Sequence, residues 1–195
     1  MNEHIIKEKT TLRQKCREKR GSLGEEFVIG ASGTVCELLA SAEEFKNAKT
    51  VLLYYPINNE ISPLPFFELS RKLGKRVGFP VCNHESSTLI FREVTSLSAL
   101  EKGKFGLLEP NEDCKAISPD KDTLCVVPAL ALSRDGARLG YGRGFYDRFL
   151  CQFDGTTVGL TYSELLFDSI PSEVHDTLLD MIITESEVLR PNEQN

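Results

Sequence analysis

Residues 124–132, Leu-Cys-Val-Val-Pro-Ala-Leu-Ala-Leu, form an unbroken apolar run, closely followed by three glycines at every second position, Gly140, Gly142 and Gly144. A short apolar run of this kind reads as a strand buried on both faces, as in a parallel sheet. The glycines open the turn into a helix expected over residues 145–152. On the residues alone, such a turn serves one of two ends. It lets backbone N–H groups approach an anion more closely than a Cβ would allow, or it permits tight packing and nothing more. A helix starting near Phe145 aims its positive end at the same point. Arg138, Arg143 and Arg148 add charge, and Asp147 offers the kind of oxygen ligand that Mg²⁺ prefers.

The rest of the chain alternates in the same way. Thr50-Val51-Leu52-Leu53-Tyr54-Tyr55, stopped by Pro56, reads as a buried strand, residues 63–73 as a helix closed by Gly74, and residues 76–79 as the next strand. Further strands are expected at 89–94, 123–127, 156–161 and 181–184, with a polar, irregular excursion over 96–122. Helical patterns fill the first fifty residues, where two helices are expected, the second opened by a capping box at Ser22-Leu23-Gly24-Glu25. Strands alternating with helices imply a three-layer α/β sandwich around a mainly parallel sheet. A chain of 195 residues is one domain long, spanning 1–195 and able to bury about 70% of its unfolded surface. Ligands of such sheets settle beyond the carboxyl ends of the strands, so the turn after residue 55 and the glycine turn should open on one rim.

A formal charge of −6 argues against nonspecific nucleic-acid binding unless charge is segregated. Segregation occurs once, between Lys7 and Arg20, and a solvated helix face accounts for most of those side chains. The six cysteines are scattered without a C-x-x-C pair, which suggests reduced thiols and no zinc or redox motif. No apolar run approaches the roughly 18 residues of a membrane span. A cytoplasmic protein without membrane or nucleic-acid partners is expected, and a monomer.

The string Val127-Pro128-Ala129-Leu130-Ala131-Leu132, Asp135-Gly136 and Arg138-Leu139-Gly140-Tyr141-Gly142-Arg143-Gly144-Phe145-Tyr146-Asp147-Arg148-Phe149-Leu150 resembles the signature of the 5-formyltetrahydrofolate cyclo-ligases. That family has a Rossmann-like sandwich related to sugar-phosphate isomerases and CoA transferases. Other segments share the resemblance. Lys9 and Arg13, four apart, lie on one helix face, where spacing alone allows either simple solvation or a grip on a polyanion. Lys9-Thr10-Thr11-Leu12-Arg13 is similar to the family's N-terminal ATP-contacting element, whose arginine also reaches the folate. Tyr54-Tyr55-Pro56-Ile57-Asn58-Asn59-Glu60 fits Y-x-P-x-x-x-E, which implies that Tyr55 packs on the folate and Glu60 binds its pterin. Phe105, ahead of Glu109-Pro110, matches an aromatic placed against substrate, although a loop hydrophobe covering the core is an equal account of it.

The resemblance further implies that ATP is held by Lys9 to Arg13, by Arg138, Leu139 and Gly140, and by the segment from Tyr141 through Gly142, Arg143, Gly144 and Phe145 to Tyr146. Folate would meet Arg13, Tyr55, Glu60, Phe105 and the segment from Tyr141 to Phe145. Arg143 and Tyr146 would act in catalysis, and Asp147 and Asp180 would hold Mg²⁺, Asp180 through the late element Asp176-Thr177-Leu178-Leu179-Asp180. Ala129 stands where glycine is common in the family, Phe145 where tyrosine is, and Val81 where many relatives are basic. The implied reaction is ATP- and Mg²⁺-dependent closure of 5-formyltetrahydrofolate, polyglutamylated forms included, to 5,10-methenyltetrahydrofolate. A folate- or nucleotide-binding regulator and a sugar-phosphate isomerase-like enzyme are the alternatives on the same fold.

Overall fold

The computed structural model describes residues 3–83, 85–103, 106–172 and 176–191. Two long helices, α1 (Glu3–Gly21) and α2 (Glu25–Ser41), precede a single-turn α3 (Glu43–Asn47) and strand β1 (Thr50–Leu52). Helix α4 (Leu64–Lys72) then leads to β2 (Arg76–Asn83) and β3 (Thr88–Glu93). Short strands β4 (Leu100–Lys102), β5 (Leu108–Pro110) and β6 (Ala116–Ile117) precede the core strand β7 (Thr123–Val127). After it come β8 (Ala131–Ser133), β9 (Arg138–Leu139), α5 (Phe145–Leu150), β10 (Thr156–Leu160) and β11 (Leu166–Phe167). Strands β12 (Met181–Ile183) and β13 (Val188–Leu189) complete the described chain.

Among the described residues the main sheet has the order β13-β12-β10-β7-β1-β2-β3-β6. Its middle, from β12 to β2, is parallel, and β13, β3 and β6 add to it antiparallel. Period-2 alternation sorts the strand residues into two cores. Val51, Leu124, Val126, Met181 and Ile183 face a cluster with Val35, Leu39, Phe45, Phe66 and Phe67 of α2, α3 and α4. Leu52, Cys125, Val127 and Ile182 face the other, with Leu132, Leu150 and Phe149. The three-layer reading therefore holds.

After β1 the chain steps to β2 on one side, and after β7 to β10 and β12 on the other. The reversal leaves a crevice beyond the ends of β1 and β7, where sheets of this kind bind ligands. Strand β2 outruns β1, whose last paired residue Leu52 stands opposite Gly78. Pro80, which has no N–H to give, is tolerated there because it pairs on one side only, with Phe91 of β3. The resulting β2–β3 ribbon walls one flank of the crevice.

Three local expectations differ from the structure. The N-cap of α2 is Gly24 with no side-chain cap, while Ser22 Oγ donates to Lys19 O (2.7 Å), so the serine finishes α1 instead of starting α2. The excursion over 96–122 is partly ordered as a β4–β5 hairpin and by β6, which pairs with β3. A third helix, α3, joins the two expected in the first fifty residues. All six cysteines are free thiols, and among the described residues no helix is long and apolar enough to cross a membrane.

Candidate functional site

The crevice holds a cavity of about 310 Å³. The turn after β1 contributes Tyr54, Tyr55, Ile57 and Glu60, the β2–β3 ribbon Pro80, Cys82 and Leu89, and the excursion Leu107, Leu108 and Glu109. The opposite wall is Arg138 with residues 140–147. Both loops expected at one rim thus meet there.

Glu60 is only 5% exposed, and its surroundings explain how a carboxylate survives burial. Ile57 N donates to Oε2 (3.0 Å), and Tyr141 OH donates to Oε1 in a very short contact. Behind Tyr141 stands Arg20, 2% exposed at the end of α1. Its Nη2 donates to Tyr141 OH (2.6 Å), its Nη1 donates to Ala129 O (3.2 Å), and Nη1 lies 3.7 Å from Glu60 Oε1. Burial pushes the Glu60 carboxyl above its ordinary range, against the bonds from Tyr141 and Ile57 and the charge of Arg20. Asn58 and Asn59 take positive φ (48° and 57°) to make the turn, and Tyr162 OH donates to Asn59 O (2.8 Å). Asparagine tolerates that backbone better than most residues.

The glycine wall is built differently. Gly142 (φ 90°) and Gly144 (φ 69°) are left-handed, a conformation that L side chains resist. A Cβ at Gly140 or Gly144 would run into the guanidinium of Arg138 or Arg148, at 2.7 and 2.8 Å, and one at Gly142 would crowd that of Arg13 at 3.3 Å. The glycines therefore make room for three arginines as well as for a ligand. Arg13 Nε donates to Gly140 O (2.9 Å), and Arg138 forms a very short ion pair with Asp147. Arg143 is exposed in the cavity wall. The Tyr146 hydroxyl is buried in that wall without a hydrogen-bond partner among the described residues, a donor left over for a polar ligand. Burial also raises the Tyr146 phenol well above its ordinary pKa, so it stays protonated.

On the third side Cys82 N, freed from the ladder where β2 outruns β1, donates to Glu109 Oε1 (3.0 Å). Burial, with Glu109 beside it, pushes the Cys82 thiol up to about 12. It is therefore a neutral wall residue.

The other expected residues divide. Tyr55, Glu60, Arg138, Asp147 and the segment from Gly140 to Tyr146 line one cavity, with Arg13 against its loop. Leu139 is buried in the core and Leu12 packs on it, while Thr10 and Thr11 return their hydroxyls to Ile6 O and Lys7 O of α1. Lys9 pairs with Asp176 (2.8 Å). Asp180 does not line the cavity; its Oδ2 accepts from Thr157 N (2.9 Å) and Thr157 Oγ1 (2.7 Å), tying β12 to β10. Phe105 lies outside the described residues. Sequence reasoning passed over Arg20, placed among the basic residues of α1, and quoted Asp176 only as the start of the late element, without its pairing to Lys9. No local signal separates a buried helix-end arginine from its solvated neighbours.

The family model described as the 5-formyltetrahydrofolate cyclo-ligase family matches residues 5–185. A solved 5,10-methenyltetrahydrofolate synthetase from Aquifex aeolicus superposes with a TM-score of 0.84 at 35% identity, covering 96% of this chain and 94% of that one. The 5-formyltetrahydrofolate cyclo-ligases of Mycolicibacterium smegmatis and Escherichia coli K12 are 32% and 30% identical. Those matches cover 71% and 72% of this chain, and 74% and 80% of the relatives.

Proposed function

The chain belongs to the 5-formyltetrahydrofolate cyclo-ligase family, and from that premise we propose that the cavity converts 5-formyltetrahydrofolate and ATP into 5,10-methenyltetrahydrofolate, ADP and phosphate. One observation carries the site assignment: the Tyr55–Glu60 turn and the glycine loop line a single cavity at the switch point of the sheet. The membership makes the chain a carbon–nitrogen bond-forming enzyme of one-carbon folate metabolism.

Ring closure needs N10 to displace the formyl oxygen, which leaves poorly as oxide or hydroxide. Transfer of the γ-phosphoryl group to that oxygen makes phosphate the leaving group. N10 then bonds the formyl carbon and loses its proton, and the carbon–oxygen bond breaks. Such a sequence asks a protein for position and charge neutralisation more than for a nucleophile.

Glu60 accepts from the N–H edge of the pterin and Tyr55 packs on its ring. Tyr146 OH, a protonated donor without another partner, serves an oxygen of the reacting groups. Arg143, Arg13, Lys9 and the loop amides hold the phosphates. The charged oxygens of this wall suit Mg²⁺, which binds through one or two carboxylates completed by substrate phosphates. Among the described residues no three His, Cys, Asp or Glu side chains form a metal group of their own, and phosphate oxygens and water would complete the ion's coordination. Asp147 is the first carboxylate for it. For the second, the late element offers Asp180, as the resemblance implies, and Asp176 beside Lys9; the Oδ2 of each already has a partner, Thr157 and Lys9 respectively. When bound, the ion neutralises charge on the phosphates.

Purified protein mixed with 5-formyltetrahydrofolate, Mg²⁺ and ATP should show the rising near-ultraviolet absorbance of the methenyl product. Omitting ATP or chelating the metal should abolish the rise. Product formed without ATP would overturn the phosphoryl-transfer reading.

A further inference from the structure

The basic stretch of α1 hides an exception. Its last arginine, Arg20, is a charged side chain sealed inside the protein, and burial on that scale is tolerated only with specific partners. Those partners belong to the two walls of the cavity. Arg20 Nη2 donates to the hydroxyl of Tyr141, from the glycine loop, and that hydroxyl donates to Glu60, from the turn after β1. Nη1 faces the same Glu60 oxygen at 3.7 Å and anchors on Ala129 O, in the segment leaving β7. The Arg20 backbone closes the circuit, since its carbonyl accepts from Asn59 Nδ2 (3.3 Å). One side chain thus touches the chain beyond β1, beyond β7 and in the glycine loop.

We propose that Arg20 is a positioning residue for the folate reaction: its buried guanidinium holds the Tyr141 hydroxyl and the Glu60 carboxylate in one arrangement, so that the folate-side turn and the nucleotide-side loop are set together. The proposal rests on the reading of Glu60 as the folate's acceptor. A cation donating to a hydroxyl that donates to a carboxylate is polarised in one direction, which strengthens each bond and keeps Glu60 an acceptor. Arg20 reaches the cavity only through Tyr141 and Glu60.

Among the described residues the other groups facing Glu60 are phenols: Tyr141 on the glycine loop, Tyr54 beyond β1, Tyr146 on α5 and Tyr162 after β10. All four have raised pKa values and are neutral over the working range. Among the described residues Arg20 is the cation that acts on Glu60. Removing it must raise the Glu60 pKa, so the acid limb of kcat/KM for 5-formyltetrahydrofolate must move to higher pH.

The test compares Arg20→Met, Arg20→Lys, Glu60→Gln and the double variant Arg20→Met/Glu60→Gln, with thermal melts to verify folding. Arg20→Met should raise KM for 5-formyltetrahydrofolate on the order of tenfold, the scale seen when a supporting partner behind a ligand-contacting group is lost. It should also shift the acid limb upward. Arg20→Lys keeps the charge and should restore the limb while leaving part of the KM defect, which also serves if the methionine variant does not fold. In the double variant the defect should not exceed that of Glu60→Gln. Folded Arg20→Met, or failing that Arg20→Lys, with an unchanged folate KM and acid limb beside an impaired Glu60→Gln would overturn the positioning role alone. An unimpaired Glu60→Gln would instead overturn the reading of Glu60, and the proposal with it.

Discussion

The two walls of the cavity solve opposite problems. The Glu60 turn is a buried network in which Ile57 N and Tyr141 OH donate to the carboxylate, with Arg20 behind the phenol and its Nε alone left without a hydrogen-bond partner among the described residues. The glycine wall is open, with Gly142, Arg143 and Asp147 exposed. A buried wall is pre-organised and binds one shape well, because little ordering remains to be done when the ligand arrives. An open wall suits a hydrated, mobile polyphosphate that must enter and leave with its counter-ion. The difference teaches that damage to the first wall should cost folding and folate binding together, and damage to the second should cost turnover or nucleotide binding while largely sparing folate binding.

The strongest challenge to that contrast is Glu60→Ala. It leaves Arg20 buried without its carboxylate, which should cost about 3 kcal/mol of stability. Turnover should be nearly lost, and denaturant melts with steady-state kinetics would check both. An unaltered melt would mean that Glu60 and Arg20 do not form a stabilising buried network.

Arg143→Ala should do the reverse. A loss of about 10²-fold in kcat is expected from removing one charged donor, with folate binding retained and the melting temperature unchanged. Calorimetric binding of 5-formyltetrahydrofolate beside the kinetics would separate the two effects. Normal turnover would remove Arg143 from the phosphate site.

Gly142→Ala sharpens the contrast at smaller scale. A side chain at φ 90° beside the Arg13 guanidinium should cost about 1–2 kcal/mol of local strain. Because the strain sits in the open loop, KM for ATP should rise several-fold while KM for folate changes less. An equal rise in both would show that the walls move as one.

The smallest effect expected is one of pH. Burial raises the Glu60 pKa above its ordinary 4.5, so the folded chain binds that proton more readily than the unfolded chain. This contribution to stability is complete below the ordinary value and is lost as pH rises through the raised one. The melting temperature of the wild type relative to Glu60→Gln should therefore fall as pH is raised across that window. A gap independent of pH would mean that folding leaves the proton affinity of Glu60 unchanged.

The legibility of the two walls differed as well. The glycine turn could be read from its letters, since close approach and left-handed backbone demand glycine and little else. The Tyr55–Glu60 turn is legible only through its resemblance to Y-x-P-x-x-x-E, and its support is invisible in the letters. Arg20 is spelled like Lys19 beside it, yet Lys19 pairs with Glu164 at the surface and Arg20 is sealed in the core. The capping box at Ser22 was misplaced for a related reason: the serine had a carbonyl of α1 within reach, and short polar side chains take the nearest partner. Asp176 and Asp180 share one motif, but Lys9 meets the first and Thr157 the second.

The sequence by itself determined the layers, the alternation of strands and helices and the glycine loop. Each depends on short-range rules, periodicity of burial and the backbone freedom of one residue type, which act within a few positions. Tertiary structure alone decided which charges are buried, which carboxylates share a neighbourhood and how far β2 outruns β1. Those outcomes depend on residues more than a hundred positions apart, such as Arg20 and Tyr141. The free energy of a charge is set by the dielectric and the partners that folding brings to it, and neither is written beside it in the chain.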